Sequence, residues 1–320
     1  MSAPRTPRAR ASEWDFVAAL KRTLGAGVRR GVRLDIGDDA AVLAPFAGAA
    51  ALSVDASVEG VHFRREWAGW DVLGARAFEA ALSDLAAMGA RPVAALLALA
   101  LPRGTTLAEV EAIARGVARA ARRAACPVVG GNVTRAREVS ITTTVVGAST
   151  RRALRRDGAR PGDVVYVSGP LGGAALGLAV LQRGAARTAA ERRFVRRWQS
   201  PRARIAAGRI LTGRARACID LSDGLVSDLG HLARASEVGI EIDASSLPLA
   251  PGHRALARHL GLDPVALALG GGEDYELAFT APRGTRAPAG SVAIGRVVRG
   301  PRSVRVIGHV AGASGFDHFD

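Results

Sequence analysis

Apolar positions along the chain repeat at two periods. Residues 13–24 carry Trp14, Phe16, Val17 and Leu20 at helical spacing, and residues 50–54 form an apolar run ending at Asp55 that reads as a strand. Residues 58–63 read as a loop or short strand. The helical period returns over residues 71–88 through Leu73, Ala77, Ala80, Ala81, Leu85 and Met88, with Gly89 and Pro92 as stop signals. Residues 93–101 form a strand. Residues 106–125 form a helix in which Thr106 and Glu109 spell a capping box. Residues 127–129 lead into Gly130-Gly131-Asn132, and residues 139–146 form a Thr- and Val-rich strand.

A polar tract at 151–162 with Gly and Pro reads as a domain boundary. Beyond it come a strand at 163–168, the turn Gly169-Pro170-Leu171-Gly172-Gly173 and a helix to about residue 182. Strand, glycine turn and helix together can cradle a phosphate on backbone amides, but the Lys-Ser/Thr of a P-loop is missing, so a tight turn is the favoured reading. A strand at 217–221 runs into Ser222-Asp223-Gly224 and a helix at 225–236. A strand at 240–242 follows, and residues 267–272 lead into Glu273-Asp274-Tyr275-Glu276-Leu277, then Ala278-Phe279-Thr280. This alternation predicts an α/β protein of two α/β domains, 13–150 and 151–320, after a disordered arm at 1–12.

Composition adjusts this picture modestly. With 320 residues and 48% hydrophobic content the chain can build two cores, and with 4% aromatics they must be aliphatic. The formal charge of +15 suggests nucleic acid at first. Yet Lys21 is the only lysine, the arginines are scattered, and no aromatics interleave with them to stack bases. No nucleic-acid partner is expected. Cys126 and Cys218 belong to no paired motif and read as core thiols. The longest apolar run is too short to span a bilayer and no signal-peptide pattern opens the chain, so a cytoplasmic protein without a membrane partner is expected.

The candidate chemistry is acidic. Ile36-Gly37-Asp38-Asp39 places two carboxylates side by side, good turn chemistry but also a natural seat for a hard cation such as magnesium. Asp38, Asp39, Asp55, Asp84, Asp220 and Asp223 all sit at expected strand ends or on a helix face beside Ser, Gly or Ala. One such Asp is a cap or turn residue; six suggest a shared site where several Mg2+ ions bridge nucleotide phosphates. His62 is the only histidine within a candidate segment, and a half-buried structural histidine is an equal reading.

Several segments together resemble the thiamine-monophosphate kinase family. They are Ile36-Gly37-Asp38-Asp39-Ala40, Ser53-Val54-Asp55, Glu59-Gly60-Val61-His62-Phe63 and Leu82-Ser83-Asp84-Leu85-Ala86-Ala87-Met88-Gly89-Ala90. With them go Gly130-Gly131-Asn132, Ile219-Asp220-Leu221-Ser222-Asp223-Gly224-Leu225, Gly271-Gly272-Glu273-Asp274-Tyr275-Glu276-Leu277 and Gly315-Phe316-Asp317-His318-Phe319. The resemblance implies mixed, α+β-type sheets in an aminoimidazole-ribonucleotide-synthetase-like fold, and a homodimer. It implies ATP-dependent phosphorylation of thiamine monophosphate to thiamine diphosphate by direct in-line transfer. By motif position, Asp39, Ser53, Val54, Asp55, Asp84, Asn132, Asp220 and Asp223 would hold magnesium, Ser53 and Val54 through oxygens other than carboxylate. Gly131, Asn132, Arg156 and Ser222 would meet ATP; His62, Glu273 and Phe316 would meet thiamine monophosphate.

One departure stands out: Asn132 occupies the place of an Asp in the family's Gly-Gly-Asp, so its neutral oxygen would hold a metal more weakly. Val54 also replaces a Thr. The rival readings are another ATP-using enzyme of the same superfamily, and a non-catalytic binder of acidic polymers. The cysteine-bearing termini of the selenophosphate-synthetase and hydrogenase-maturation members are absent from this sequence.

Overall fold

The computed structural model describes residues 12–25, 31–36, 39–149 and 153–309. Gly37, Asp38 and Phe316 lie outside the described residues, as does the arm up to residue 11. Ser12, expected in that arm, instead caps α1 (Glu13–Leu24): its hydroxyl accepts from the Asp15 N–H while the Asp15 carboxylate accepts from the Ser12 N–H.

The strands β1 (Val32–Leu34) and β2 (Val42–Leu43) pair antiparallel. They precede β3 (Ala49–Val58), α2 (Trp70–Ala87), β4 (Arg91–Leu101), α3 (Leu107–Ala124), β5 (Val128–Arg135) and β6 (Ser140–Ser149). These four long strands make one sheet in the order β3-β6-β4-β5. The Thr106 capping box is present at α3 as the sequence implies, and Gly89, at φ 64°, turns the chain out of α2. Pro92 belongs to β4 instead of preceding it; it sits ahead of the first β5 pair at Ala95, where its missing N–H breaks no bond to β5. β3 is also longer than its apolar core suggests. It continues past Asp55, which is therefore a mid-strand residue and not a strand end.

The remaining elements are β7 (Val164–Val167), α4 (Gly173–Gln182), α5 (Ala189–Gln199), α6 (Ile205–Leu211), β8 (Ala217–Asp220), α7 (Leu225–Ser236), β9 (Gly239–Asp243), α8 (His253–His259), α9 (Pro264–Gly270), β10 (Leu277–Ala281), β11 (Val292–Val298) and β12 (Val304–Ile307). Six of these strands form a second sheet in the order β12-β9-β11-β7-β10-β8, antiparallel except where β12 runs parallel to β9.

The chain divides into two compact units, one of residues 1–45, 54–78 and 94–144, the other of 46–53, 79–93 and 145–320. In the first, Gly131 approaches β4 so closely that an added Cβ would lie 1.7 Å from the Leu97 carbonyl oxygen. In the second, the six-stranded sheet is covered on both faces. Ile219 and Ala278 point to a core shared with Leu225, Leu229 and Leu232 of α7, while their neighbours Cys218, Leu277 and Phe279 point to one shared with Ala86 and Leu211. Double coverage explains why every residue of β8 and β10 is buried, each buried large apolar side chain contributing roughly 2 kcal/mol. Both cysteines are buried free thiols, and burial pushes Cys126 up to about 12. Among the described residues no helix is long and apolar enough to cross a membrane.

Candidate active site

The second unit gathers carboxylates that oppose one another. Asp84 comes from α2, Asp220 ends β8, Asp223 lies in the turn before α7, and Asp228 is in the first turn of α7. The Ser53 hydroxyl donates to the Asp84 carboxylate, which supplies the partner that a carboxylate on an Ala-rich helix face requires. Burial raises the pKa of Asp84, against that bond and the positive charge of Arg156. Asp220 is buried and is pushed up to about 6, first by burial and then by the charge of Asp84. Asp228 reaches about 8 through burial and the charges of Asp223 and Asp220. Its carboxylate accepts from the backbone N–H groups of Asp223 at 3.1 Å and Gly224 at 3.2 Å, holding the turn that carries Ser222 and Asp223.

The positive charge of Arg156 is felt at Asp84, Asp220 and His231. Ser83, next to Asp84, has a fully buried hydroxyl without a hydrogen bond of standard geometry, although it lies near enough to Asp220 to ease that group's ionisation. Buried carboxylates and an orphaned hydroxyl form an oxygen-rich donor set in which Arg156 is the cation whose charge is felt. Hard divalent cations such as magnesium fit that chemistry. Magnesium commonly takes one or two carboxylates with waters and phosphate oxygens, so a full set of protein ligands is not needed to hold it.

The Gly271–Tyr275 segment is locked to the Ser222 turn. The Glu273 N–H donates to the Ser222 carbonyl at 2.8 Å, and the Tyr275 N–H to the Leu221 carbonyl at 3.0 Å. Gly272 and Gly224 make this possible: a Cβ on either would meet the Ser222 or Gly270 carbonyl oxygen at 2.2 or 2.7 Å. The three acids of this motif each have a structural partner. Glu273 accepts from the Trp198 indole N–H at 2.8 Å. Asp274 accepts from the Gly172 and Ala174 amides at 2.6 and 3.0 Å. Buried Glu276 pairs with Arg204 and accepts from the Ser168 hydroxyl at 2.5 Å. Asp274 thereby fills the amides of the Gly169–Gly173 turn, which bears out the tight-turn reading over the phosphate cradle.

The other expected site residues belong to the first unit. Asp39 is exposed; Asp55 is half-buried on the same face of β3 as Ser53, and Val54 points its side chain from the opposite, exposed face. Gly131 and Asn132 lie within β5, paired with Leu97 and Ala98, not in a loop. His62 is half-buried, and its Nδ1 accepts from the Val58 N–H at 3.1 Å, which fits the structural reading of this histidine. A cleft of about 950 Å³ lies between α1, the start of α3 and the end of β5. Asp228 and Trp198 were not singled out by the sequence. The signal for Asp228 was an acid in the first turn after Ser-Asp-Gly; Trp198 sits in an Arg-rich tract where the pattern Phe194, Val195, Trp198 is short.

The AIR synthase related protein N-terminal domain model matches residues 37–149, and the corresponding C-terminal domain model matches residues 160–315. Thiamine-monophosphate kinase of Aquifex aeolicus (strain VF5) is 37% identical over 96% of this chain and 98% of its own length. That of Escherichia coli (strain K12) is 40% identical over 84% of this chain and 82% of its own. Among solved structures, AaThiL complexed with AMPPCP and TMP superposes with a TM-score of 0.81 at 36% identity, covering all of both chains. Thiamine-monophosphate kinase from Stenotrophomonas maltophilia K279a gives 0.82 at 36% identity, over 94% and 98%. The hydrogenase maturation protein HypE in complex with ATP, at 22% identity and 0.74, shares the fold.

Proposed function

The chain belongs to the thiamine-monophosphate kinase family, within the AIR-synthase-related group, and on that premise we propose that it transfers the γ-phosphate of ATP to thiamine monophosphate, giving thiamine diphosphate and ADP. The observation that carries this reading is the file of opposed acids Asp84, Asp220, Asp228 and Asp223 beside Arg156. Asp84, Asp220 and Asp223 with Ser53 would hold magnesium, joined by Asp39, Asp55, the Val54 backbone oxygen and Asn132. Bound there, magnesium would neutralise phosphate charge during in-line transfer. Arg156 and Ser222, with Gly131 and Asn132, would meet ATP, and Arg156 adds a fixed positive charge near the transferring group. Glu273, His62 and Phe316 would meet thiamine monophosphate. The accepting phosphate is already ionised near neutral pH, so no side chain has to remove a proton and positioning carries most of the rate.

The division at residues 150/151 belongs to the same reading, as does a homodimer. β3 is an edge strand, and its Leu52 and Val54 are 71% and 63% exposed. An apolar edge of that kind calls for a covering surface. Purified protein with thiamine monophosphate, ATP and Mg2+ should release ADP and form thiamine diphosphate. Absence of turnover with this acceptor, alongside turnover with another phosphorylated or carboxylated acceptor, would redirect the reading to a different member of the superfamily. Sedimentation should give a dimer that Leu52→Glu dissociates.

A further inference from the structure

We propose that Trp198 is a positioning residue for thiamine monophosphate, holding the Glu273 carboxylate in its binding orientation. The proposal rests on the reading of Glu273 as a substrate contact and adds the group that aims it. Trp198 is fully buried on α5, and its single N–H donates to Glu273 Oε2 at 2.8 Å. A phenylalanine would serve packing here; only an indole also supplies a donor at that point.

Glu273 is held from every side. Its backbone has φ 68°, a conformation unfavourable to a residue with a Cβ, and its N–H is anchored on the Ser222 carbonyl. The next residue, Asp274, is tied to the first turn of α4 through the Gly172 and Ala174 amides. α4 and α5 share a core through Leu176, Val180, Phe194 and Val195. Two consecutive carboxylates are thus pinned to two packed helices. A glutamate has three side-chain torsions to lose on binding, and fixing them beforehand removes that cost. Thiamine monophosphate carries a permanent cationic ring, to which a pre-aimed carboxylate is attractive.

Three variants test this by steady-state kinetics. In Trp198→Phe the KM for thiamine monophosphate should rise about tenfold, the size of one hydrogen bond to a charged group, with kcat and the KM for ATP within about twofold of wild type. Glu273→Gln should raise the same KM, and the double variant should be less than additive. If Glu273→Gln leaves that KM unchanged, Glu273 is not a substrate contact and the proposal falls with that reading. If Glu273→Gln raises it while folded Trp198→Phe does not, the proposal alone is overturned. Should Trp198→Phe fail to fold, wild-type protein labelled with 5-fluorotryptophan decides. The buried indole, recognised by its lack of a solvent isotope shift, should move in the fluorine spectrum on saturation with thiamine monophosphate but not with ATP. A resonance that stays put overturns the proposal.

Discussion

Two groups of carboxylates in the second unit behave in opposite ways. Along Asp84, Asp220 and Asp228, burial raises all three carboxyl pKa values, and acidic neighbours raise Asp220 and Asp228 further against their supporting bonds. In Glu273-Asp274-Tyr275-Glu276 each acid has a dedicated donor: an indole, two amides, or a guanidinium with a hydroxyl. Both groups are largely buried carboxylates; the second group has the stronger donors, an indole and a guanidinium among them, while Asp84 and Asp228 are held by a hydroxyl and by backbone amides. Glu276, paired with Arg204, maintains the fold, whereas buried acids whose neighbours are other acids mark a place where charge must arrive from outside. Asp274 sharpens the distinction, because burial lifts it to about 7 even though both of its amide bonds pull it down.

The largest effect that would break this comparison is catalytic. Asp84→Asn and Asp220→Asn should each lower kcat/KM by about 10³-fold, as loss of an electrostatic stabiliser does, measured by thiamine monophosphate-dependent ADP release. The same Asp220→Asn protein should melt no lower than wild type without magnesium, because a like-charge opposition has been removed. If it loses activity and stability together, Asp220 belongs to the satisfied class. Arg204→Ala should do the reverse. It strands the buried Glu276 carboxylate and should cost about 3 kcal/mol in urea unfolding, while the folded fraction keeps the KM for ATP.

pH probes the buried acids of both groups next. Asp220, Asp228 and Asp274 have folded-state pKa values of about 6, 8 and 7 against an ordinary 3.8, so between these limits the folded state binds more protons than the unfolded chain. Stability of the metal-free protein is therefore greatest at low pH within this window and should fall as pH rises from about 4 to 8. Differential scanning fluorimetry should show that fall, and added Mg2+ should restore more at pH 8 than at pH 5. A melting temperature that climbs across the window would contradict the assignment. The smallest effect concerns the first unit: Asn132→Asp should lower the magnesium concentration needed for half-maximal activity by a few-fold, since a carboxylate holds the ion better than an amide oxygen. An unchanged or raised requirement would remove Asn132 from the metal's surroundings.

Much of the fold was legible before any coordinates. The capping box at Thr106 and the helix boundaries of α7 follow from local rules, and β8 was expected as a strand at 217–221. Local rules misplaced the end of β3 because polar Asp55 interrupts its apolar pattern, and they passed over α5 because Arg192, Arg193, Arg196 and Arg197 dilute its apolar face. Of the candidate site, Asp84 and Asp223 were singled out by their Ser-Asp settings and Asp220 as the acid within an expected strand. Asp228 was not, since an acid in a first helical turn reads as a cap until its burial is known.

From the sequence alone came the α/β elements, their caps and the acid-bearing motifs, because each depends on residues within a turn or two of one another. The tertiary structure decided which acids stand opposed and which are spoken for. It seated Asp84 of α2 near Asp220 of β8, gave Asp274 to the turn before α4, and brought an indole 75 residues away in sequence onto Glu273. Those outcomes depend on how sheets and helices pack, and a carboxylate's charge state follows from the neighbours that packing delivers.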